Sequence, residues 1–460
     1  MSDSYRVQNP ATGDILEDFG TATDEQIEDA LSAAQSSYSD WAGRPMSERA
    51  AIVSKVAALF EERKDELADI IGTEMGKRKA EGIEEAEFCS AIFAYYADNG
   101  EKLTKDLDLE VDGAKAVLER RPIGAILGIM PWNFPYYQVA RFAAPNLVLG
   151  NTILLKHAEI CPKSAGAIQS IMDEAGVPKG VYQTIYATHD QISTVIADPR
   201  VAGVSLTGSE RAGAIIAQQA GKALKKAVLE LGGSDPYIIL DTDDVKSAAA
   251  NAWATRMYNT GQACDSNKRL IVMEDVYDEF VAELESLASK MKPGDYDTED
   301  ETIYQPLSSR SAAERLADQL DRVKKAGAKI RVGGELADEG AYISPAVVTD
   351  IPRGSDVYYE ELFGPVAVVY KVSSDEEAIE LANDSQFGLG GSVFSKDRER
   401  AEKVGSQLEV GMSKVNTHAA EGEGIPFGGV KRSGYGRELG PVGMDEFVNK
   451  RLYWVGDEGA

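Results

Sequence analysis

Over residues 24 to 99, apolar side chains recur with a spacing of about 3.6 residues, the period of an α-helix. One such stretch has its apolar positions at Ala50, Ile52, Val53, Val56, Ala57 and Phe60. Residues that commonly cap helices accompany these stretches. The pattern predicts a series of amphipathic helices that form a structural scaffold.

The pattern changes to strict alternation over residues 103 to 121. Residues 107 to 111 alternate between apolar and charged side chains, Asp112-Gly113 follows, and the alternation resumes at Ala116 and Leu118. Asp-Gly between two alternating runs is a strong β-hairpin signal. We predict a hairpin that projects from the helical scaffold and could serve assembly.

From residue 122 to residue 240 or so, short apolar runs alternate with amphipathic stretches such as Ala165 to Ala175. The apolar runs are Ile123 to Met130, Thr152 to Lys156, Val181 to Tyr186, Gly203 to Thr207 and Tyr237 to Leu240. This alternation is typical of βαβ units around a parallel sheet.

A second pattern of the same kind extends to about residue 440. Its clearest helices begin near Val276 and Ala312, and its clearest strands are Val366 to Val372 and Gly391 to Phe394. We therefore predict an α/β protein with two doubly wound sheets.

The chain has 460 residues, too many for one ordinary core, so two or three domains are expected. Its 76 acidic and 48 basic residues give a net charge of −28. Nucleic acids and anionic membranes attract clustered lysine and arginine, so neither is expected as a partner. The acidity indicates either a surface that aids solubility or an adaptation to a very salty cytosol, and both interpretations stay open.

No apolar stretch approaches the roughly 20 residues of a membrane-spanning helix, and the N-terminus lacks a secretion signal. We expect a cytoplasmic protein. The three cysteines, Cys89, Cys161 and Cys264, form no C-x-x-C pair, and the chain has three histidines. These counts favour neither a disulfide framework nor a zinc site, so no metal is expected in the chemistry.

A doubly wound sheet often binds a nucleotide at a G-x-G-x-x-G loop, but this sequence has none. Gly422-x-Gly424 and Gly434-x-Gly436 follow no convincing strand, and we interpret them as turns. The segment Leu206 to Ser209 does follow a strand and precedes an amphipathic helix, whose free N–H groups could hold a pyrophosphate. The alternative is an ordinary strand-to-helix connection.

Cys264 lies in the polar, glycine-containing segment Asn259 to Cys264, whereas a core cysteine usually has apolar neighbours. This setting is that of an accessible thiolate, whose nucleophilicity would depend on a lowered pKa. The alternative is a cysteine without a catalytic role.

Glu230 lies inside the apolar run Leu229 to Leu231, before a glycine pair. If that run is buried, the pKa of the carboxyl should rise and suit a general base; the alternative is a strand-end glutamate that faces water.

Asn133 lies between two aromatic residues and two prolines, so its amide could be a preorganised oxyanion donor. The alternative is an asparagine in a proline-rich turn.

In combination, these segments resemble the motifs of the aldehyde dehydrogenase superfamily. The motifs are PWNFP at 131, LTGS at 206, LELGG at 229, NTGQAC at 259, EELFGPV at 360, NDSQFGL at 383 and PFGGVKRSGYGRELG at 426. Several are specific individually, and the resemblance extends from about Asn9 to Val448. It implies an aldehyde-dehydrogenase-like fold with two doubly wound α/β domains and a small β oligomerisation hairpin.

The resemblance also implies roles for individual residues. Cys264 matches the nucleophile, its N–H and the Asn133 amide would form the oxyanion hole, and Glu230 matches the base that activates the hydrolytic water. Relatives that transfer the acyl group to coenzyme A lack this glutamate, so hydrolysis to the free acid is implied. The residues that match the cofactor site are Trp132, Lys156, His157, Ala158, Glu159, Gly208, Ser209, Leu231, Glu361 and Phe363.

Among nicotinamide cofactors we favour NAD. Glu159 can accept hydrogen bonds from both hydroxyls of the adenosine ribose, but its carboxylate would repel a 2′-phosphate. Lys156 could attract that phosphate, so the use of NADP stays open.

Within the superfamily the sequence is similar to succinate-semialdehyde dehydrogenases, which implies oxidation of succinate semialdehyde to succinate. Arg141 matches an arginine that binds the substrate carboxylate, a role that suits a forked guanidinium; the alternative is an arginine in an ion pair. Two departures oppose this substrate. Tyr258 replaces a second arginine, and the loop Ala419 to Gly424 carries negative charge in place of a serine ligand. Another aliphatic or aromatic aldehyde is therefore the alternative.

Two other classes of protein are less consistent with the sequence. A non-catalytic protein that retains the fold would be expected to have lost Cys264, Glu230 or Asn133, and all three are present. A hydroxy-acid dehydrogenase would need a histidine acid/base and a glycine-rich fingerprint, and neither is convincing here.

The resemblance implies an NAD(P)-binding domain from 1–102 and 122–232 and a catalytic domain from 233–440. Segments 103–121 and 441–460, with a strand near Lys450 to Trp454, would form a bridging element. Such hairpins pair between subunits in the family, so a homodimer or homotetramer that acts on a small aldehyde is expected.

Overall fold

The computed structural model describes residues 4 to 419 and 422 to 456. The helices of this part are α1 (Asp24–Gly43), α2 (Met46–Glu62), α3 (Lys64–Met75), α4 (Lys79–Leu103), α5 (Tyr137–Leu149), α6 (Pro162–Ala175), α7 (His189–Ala197), α8 (Glu210–Lys222), α9 (Val245–Met257), α10 (Glu274–Ala288), α11 (Arg310–Lys325), α12 (Asp375–Asn383), α13 (Arg398–Gly405) and α14 (Gly440–Met444). Two 3₁₀ turns cover Tyr258–Gly261 and Asp356–Tyr359.

The strands are β1 (Tyr5–Gln8), β2 (Ile15–Gly20), β3 (Leu107–Leu109), β4 (Ala114–Pro122), β5 (Ala125–Met130), β6 (Thr152–His157), β7 (Tyr182–Thr184), β8 (Val201–Thr207), β9 (Lys226–Glu230), β10 (Pro236–Ile239), β11 (Arg269–Met273), β12 (Lys292–Pro293), β13 (Ile303–Tyr304), β14 (Lys329–Val332), β15 (Ala346–Thr349), β16 (Val366–Val372), β17 (Phe387–Gly388), β18 (Gly390–Phe394), β19 (Met412–Val415), β20 (Val430–Lys431), β21 (Gly434–Tyr435) and β22 (Val448–Gly456).

The helical pattern over residues 24 to 99 is confirmed as the four helices α1 to α4. Helix α1 begins with a capping box, in which the Gln26 N–H donates to Thr23 Oγ1 at 3.2 Å and the Thr23 N–H donates to Gln26 Oε1 at 2.8 Å. Gly76 ends α3 in the left-handed conformation that favours glycine. The apolar faces of α2 and α4 meet in one core, where Phe60 stacks on Phe93.

Two large sheets confirm the α/β prediction. The first has the strand order β21-β9-β8-β5-β6-β7, and the second has the order β14-β15-β16-β11-β10-β18-β19. Pairing is parallel except for β21 against β9 and β14 against β15. In the first sheet the chain runs from β5 outward to β7 and then returns to β8 on the other side of β5. The carboxyl ends of β5 and β8 therefore flank a topological switch point, where doubly wound sheets bind ligands.

Two local predictions differ in part from the structure. The run Val181 to Tyr186 forms only the three-residue strand β7, because this strand is at the sheet edge and its neighbour β6 pairs with three of its residues. Gly434-x-Gly436 is not only a turn, because Gly434–Tyr435 forms β21 and pairs with Glu230 and Leu229 of β9. A pairing between residues about 200 positions apart leaves no local signal.

The predicted hairpin is confirmed as β3 and β4, with Leu107 opposite Leu118. Strand β22 pairs along the whole of β4, and we call β22-β4-β3 the bridging sheet. Leu452 and Trp454 of this sheet are exposed. No helix in residues 4–419 and 422–456 is long and apolar enough to span a membrane. The location in the cytoplasm stays a prediction.

Candidate active site

The segment before Cys264 has an unusual backbone. Asn259, Thr260 and Gly261 all have positive φ angles, of 50°, 53° and 74°. Such a conformation costs roughly 1 to 2 kcal/mol for each residue that is not glycine. At Gly261 a side chain is also excluded, because a Cβ atom would lie 2.3 Å from the carbonyl oxygen of Gly364. Tertiary contacts must therefore hold this segment in place.

Arg256 supplies many of those contacts. Its guanidinium is fully buried and donates to the carbonyl oxygens of Gly261 at 3.0 Å, Leu362 at 2.8 Å and Gly364 at 2.6 Å. Burial lowers its pKa to about 9. Nothing in the local sequence distinguishes Arg256, because one arginine in a helix is ordinary.

Cys264 lies between two cavities and lines both. The switch-point cleft, of about 270 Å³, extends from Cys264 to the carboxyl ends of β5 and β8. The aromatic cavity, of about 440 Å³, is lined by Phe88, Phe134, Tyr137, Tyr258 and Phe427 among others. Gln138 is the second residue that lines both cavities. The thiol is thus reachable from two directions.

The Cys264 thiol is not activated by a lowered pKa in this state. Burial and the neighbouring Asp265 raise its pKa, whereas the cations of Arg141 and Lys268 oppose that effect. The sequence-based expectation of a lowered pKa is therefore not met here, and a thiolate requires a further change at the site.

Six of the ten residues matched to the cofactor site line the switch-point cleft. They are Trp132, Gly208, Ser209, Leu231, Glu361 and Phe363. Helix α8 begins at this cleft, and the Ser209 hydroxyl caps it by accepting the Ala212 N–H. The first N–H groups of α8 suit a pyrophosphate. The residues present at this cleft therefore fit a nicotinamide dinucleotide.

The other four residues, from 156 to 159, follow one another at the carboxyl end of β6. Lys156 Nζ lies 2.5 Å from Glu159 Oε1, and His189 Nε2 lies 3.7 Å from the same oxygen. Burial opposes ionisation of Glu159, but the Lys156 ammonium prevails and lowers the pKa of Glu159. The carboxylate that should repel a 2′-phosphate is therefore largely neutralised by its neighbour.

His157 faces the protein interior. Its Nε2 lies 2.9 Å from the Pro135 carbonyl oxygen, and its Nδ1 accepts the Ala158 N–H at 2.8 Å. This pattern requires a neutral imidazole that donates through Nε2. Burial lowers the pKa of His157 to about 4. The side chain supports the Pro131 to Pro135 segment.

We expect His157 to make the protein less stable as the pH falls. Its pKa in the unfolded chain is near 6.5, so the unfolded state binds a proton that the folded state rejects. The full contribution is present above pH 6.5, and about 2 kcal/mol of it is lost by pH 5. Urea unfolding between pH 7 and pH 5 should give a flatter dependence for His157→Asn than for the unmutated protein. His189→Asn, at a side chain that is 66% exposed, is the control. Equal slopes for all three proteins would contradict this role.

Asn133 lies at the switch-point cleft. One hydrogen of Nδ2 is donated to the Gln262 carbonyl oxygen at 3.0 Å, and Asn259 Nδ2 donates to the Asn133 carbonyl oxygen at 2.8 Å. Asn133 is buried and lines the cleft together with Cys264. A second amide hydrogen remains, which could stabilise negative charge on a ligand oxygen.

Glu230 ends β9 and is almost completely buried. Within residues 4–419 and 422–456, neither carboxylate oxygen has a hydrogen-bond partner. Burial and repulsion from Glu438 raise its pKa well above the ordinary value, although Arg141 opposes the shift. The predicted rise in pKa is confirmed, and the interpretation of a strand-end glutamate that faces water is wrong.

Arg141 pairs with Glu438 through Nε at 2.7 Å, and both side chains are buried. The guanidinium also lies between two rings, 4.7 Å from the centroid of Tyr137 and 4.3 Å from that of Phe427. Arg141 lines neither cavity among the described residues. Its Nε edge is thus engaged in an ion pair, whereas Nη1 has no hydrogen-bond partner among the described residues, and the role of Arg141 in binding a substrate carboxylate stays a prediction.

The two departures from the family pattern are at the aromatic cavity. Tyr258 lines it, with its hydroxyl 3.5 Å from Glu84 Oε2. Ala419 also lines it. Ala420 and Glu421 lie outside the described residues.

Besides Arg256, two further buried polar residues were not predicted from the sequence. Gln138 is 1% exposed, and within the described part of the chain both polar atoms of its amide have no partner. Lys268 donates to the carbonyl oxygens of Ala263 and Cys264 at 2.6 and 2.7 Å. For Lys268, the sequence signal was a charged residue at the start of an apolar strand, β11. Gln138 had none, since one polar residue in a helix is ordinary.

Comparison with known proteins gives consistent matches over nearly the whole chain. The protein-family sequence model described as "Aldehyde dehydrogenase family" matches residues 1–452 of this chain. A protein of Deinococcus radiodurans named succinate-semialdehyde dehydrogenase (NADP+) is 47% identical over 449 residues, which is 97% of this chain and 94% of that protein. A protein of Mycobacterium tuberculosis named succinate-semialdehyde dehydrogenase (NADP+) 1 is 39% identical over 451 residues, 97% of this chain and 98% of that protein.

Solved structures give the same result. Succinic semialdehyde dehydrogenase from Streptococcus pyogenes, in complex with NADP+ as the cofactor, superposes with a TM-score of 0.95 at 42% identity. The match covers 98% of this chain and 100% of that structure.

Proposed function

Because the chain belongs to the aldehyde dehydrogenase family, we propose that it oxidises succinate semialdehyde to succinate through a thioester on Cys264. As a member of this family it is an NAD(P)-dependent oxidoreductase that acts on aldehydes. The observation that carries the mechanism is the position of Cys264, which opens to the switch-point cleft on one side and to the aromatic cavity on the other.

In the first half-reaction, the Cys264 thiol loses its proton to solvent, and the thiolate Sγ attacks the carbonyl carbon of an aldehyde that enters through the aromatic cavity. The Asn133 amide and the Cys264 N–H donate to the developing oxyanion, and this stabilises the tetrahedral adduct. A bound nicotinamide in the switch-point cleft supplies the hydride acceptor. Loss of a hydride from the tetrahedral carbon to this acceptor would re-form the C=O bond and leave an acyl group on Sγ.

In the second half-reaction, Glu230 accepts a proton from water, and the water oxygen attacks the thioester carbon. The carboxylate suits this role because its oxygens are unpaired within the described structure and its raised pKa makes it a stronger base than an exposed glutamate. Departure of the Cys264 thiolate then releases the acid.

Succinate semialdehyde is supported by the names of the relatives and by Gln138. An unpartnered buried amide costs roughly 1 to 3 kcal/mol, and a polar substrate could satisfy it whereas an alkyl chain could not. We propose that Gln138 Nε2 donates to the substrate carboxylate, since Gln138 lines both cavities and Arg141 lines neither among the described residues.

Succinate semialdehyde should exceed butanal, which has the same number of carbon atoms, by at least about tenfold in kcat/KM, because about 1.4 kcal/mol corresponds to that factor. Steady-state rates of NAD(P)H formation test this expectation. Gln138→Leu should remove most of the advantage by lowering the value for succinate semialdehyde, with little effect on butanal. Equal values for the two aldehydes in the unmutated enzyme would refute the proposed substrate.

For the cofactor, we propose that the enzyme turns over with both NADP and NAD, and that Glu159 limits the preference for NADP. The relatives named above carry NADP+ in their names, which supports the use of NADP here. We favoured NAD because the Glu159 carboxylate should repel the 2′-phosphate of NADP. The pairing of Glu159 with Lys156 reduces this repulsion.

Glu159→Gln should therefore raise kcat/KM for NADP relative to NAD by roughly tenfold. The change removes a negative charge beside the expected 2′-phosphate and leaves the Lys156 ammonium unpaired and available to it. The matched control is Glu174→Gln, at an exposed glutamate of α6. An unchanged ratio in Glu159→Gln would show that this carboxylate does not determine the preference.

We also propose that the first sheet with α1 to α8 binds the cofactor, that the second sheet carries Cys264, and that the bridging sheet joins subunits. The exposed side chains of Leu452 and Trp454 support this last role. Light scattering after size-exclusion chromatography should give a mass that is a multiple of 49.6 kDa. A single species of 49.6 kDa would contradict the homodimer or homotetramer.

A further inference from the structure

Lys268 connects the nucleophile segment to the switch-point cleft. Its ammonium donates to the carbonyl oxygens of Ala263 at 2.6 Å and Cys264 at 2.7 Å, and it lies 3.1 Å from Glu361 Oε1. Two hydrogens of the ammonium are donated to the carbonyl oxygens, and the contact with Glu361 is an ion pair. The Lys268 side chain is only 2% exposed, so these three contacts replace the water molecules that would otherwise solvate its ammonium.

Glu361 can bind a ligand while it is paired with Lys268. It lines the switch-point cleft, its side chain is 20% exposed, and its Oε1 also accepts the Gly233 N–H at 3.1 Å. A Cβ atom at Gly232 would lie 2.4 Å from Oε2, so the glycine pair of the LELGG motif makes room for this carboxylate. Glu361 therefore faces Lys268 on one side and the cleft on the other.

Charges on both residues act on the Cys264 thiol. Lys268 and Arg141 lower the pKa of Cys264, whereas Asp265 and Glu361 raise it, in addition to the effect of burial. A ligand that donates hydrogen bonds to Glu361 would disperse its negative charge. The negative charge of Glu361 would then offset less of the positive potential that Lys268 produces at the Cys264 thiol. In a buried site this potential is weakly screened and therefore has a strong effect on the thiol.

We infer that Lys268 is a positioning residue that transmits the binding of the cofactor ribose at Glu361 to the nucleophile Cys264. The ammonium fixes the Cys264 peptide through its carbonyl oxygen and increases the reactivity of the thiol when Glu361 is engaged. This inference rests on the proposed roles of Cys264 and Glu361, but it does not depend on which aldehyde is the substrate.

The test is the rate at which iodoacetamide alkylates Cys264, measured by mass spectrometry across pH, without aldehyde, in the presence and absence of NADP. In the unmutated enzyme, saturating NADP should lower the midpoint of the pH profile by roughly half a unit, an approximately threefold rise in rate at pH 7. In Lys268→Met the NADP-dependent shift should disappear. Lys268→Arg, which keeps the positive charge, should restore part of it.

Lys225→Met is the matched control, because the Lys225 ammonium also donates to two carbonyl oxygens, those of Ile196 and Asp198, but lies away from the site. It should keep the full NADP-dependent shift.

Glu361→Gln tests the same connection at the residue that faces the cleft. It should lower the midpoint of the pH profile in the absence of NADP, and this result can be measured even if Lys268→Met fails to fold. A full shift in a folded, NADP-saturated Lys268→Met, or an unchanged midpoint in Glu361→Gln, would overturn the inference. Loss of the substrate preference alone would refute only the proposed substrate.

Discussion

Replacing Cys264 with alanine is expected to abolish aldehyde oxidation, with a fall in kcat of at least roughly 10⁴-fold. The change removes the atom that forms the acyl bond, and the alternative sulfur atoms cannot replace it because Cys89 and Cys161 are fully buried. Cofactor affinity should change little, since the cleft keeps its other lining residues. Steady-state kinetics and a fluorescence titration with NADP separate these two effects.

Cys161→Ala is the matched control, because it removes another thiol without changing either cavity lining. It should retain most of the activity if it folds. Turnover of Cys264→Ala above about one per cent of the unmutated rate would show that the reaction does not pass through a thioester on this residue.

Glu230→Gln is expected to separate the two half-reactions. The amide keeps the shape of the carboxylate but cannot accept a proton from water, so each active site should form one NAD(P)H and then stop. A rapid-mixing experiment should show a burst close to one equivalent per subunit, followed by a steady rate lower by roughly 10²- to 10⁴-fold. The acyl-enzyme should be detectable as a mass increase on the Cys264 peptide.

The pH dependence gives a second test of Glu230. Its raised pKa means that the base is lost on acidification at a higher pH than an ordinary glutamate would allow. The steady-state rate of the unmutated enzyme should therefore fall as the pH is lowered towards that pKa, and the rate of Glu230→Gln should lack this limb.

Glu119→Gln, in the bridging sheet, should behave like the unmutated enzyme in both experiments. Normal steady-state turnover of Glu230→Gln would remove Glu230 as the base. A burst that is also lost would place the defect before the thioester and would assign Glu230 to the first half-reaction.

We propose that one site performs both half-reactions. Asn133 and Cys264 line the switch-point cleft, whereas Glu230 lies at the end of β9 beside the same group of strands. Arg141 pairs with Glu438 and lies close enough to act on Glu230, so it stabilises negative charge near the base. We interpret the Arg141–Glu438 pair as part of the environment that sets the proton affinity of Glu230.

The sequence alone determined the elements whose signals are local. The hairpin at Asp112-Gly113 and the strand Val366–Val372 follow from side-chain alternation and apolar runs, which depend only on neighbouring residues. The candidates Cys264, Glu230 and Asn133 came from three short motifs. The residues of each motif are consecutive in the chain, so each motif can be recognised without the fold. The rise in the pKa of Glu230 was predicted on the condition that its apolar run is buried, and β9 buries that run.

Only the tertiary structure decided which distant groups meet. Strand β21 pairs with β9, Arg141 is held by Glu438 rather than directed into a cavity, and Lys268 joins Cys264 to Glu361. Glu159 likewise appeared as an isolated charge in the sequence, but its effect depends on the Lys156 ammonium beside it. The physical reason is that electrostatic and hydrogen-bond energies depend on distance and burial. Both are set by the packing of segments that the chain order does not place together.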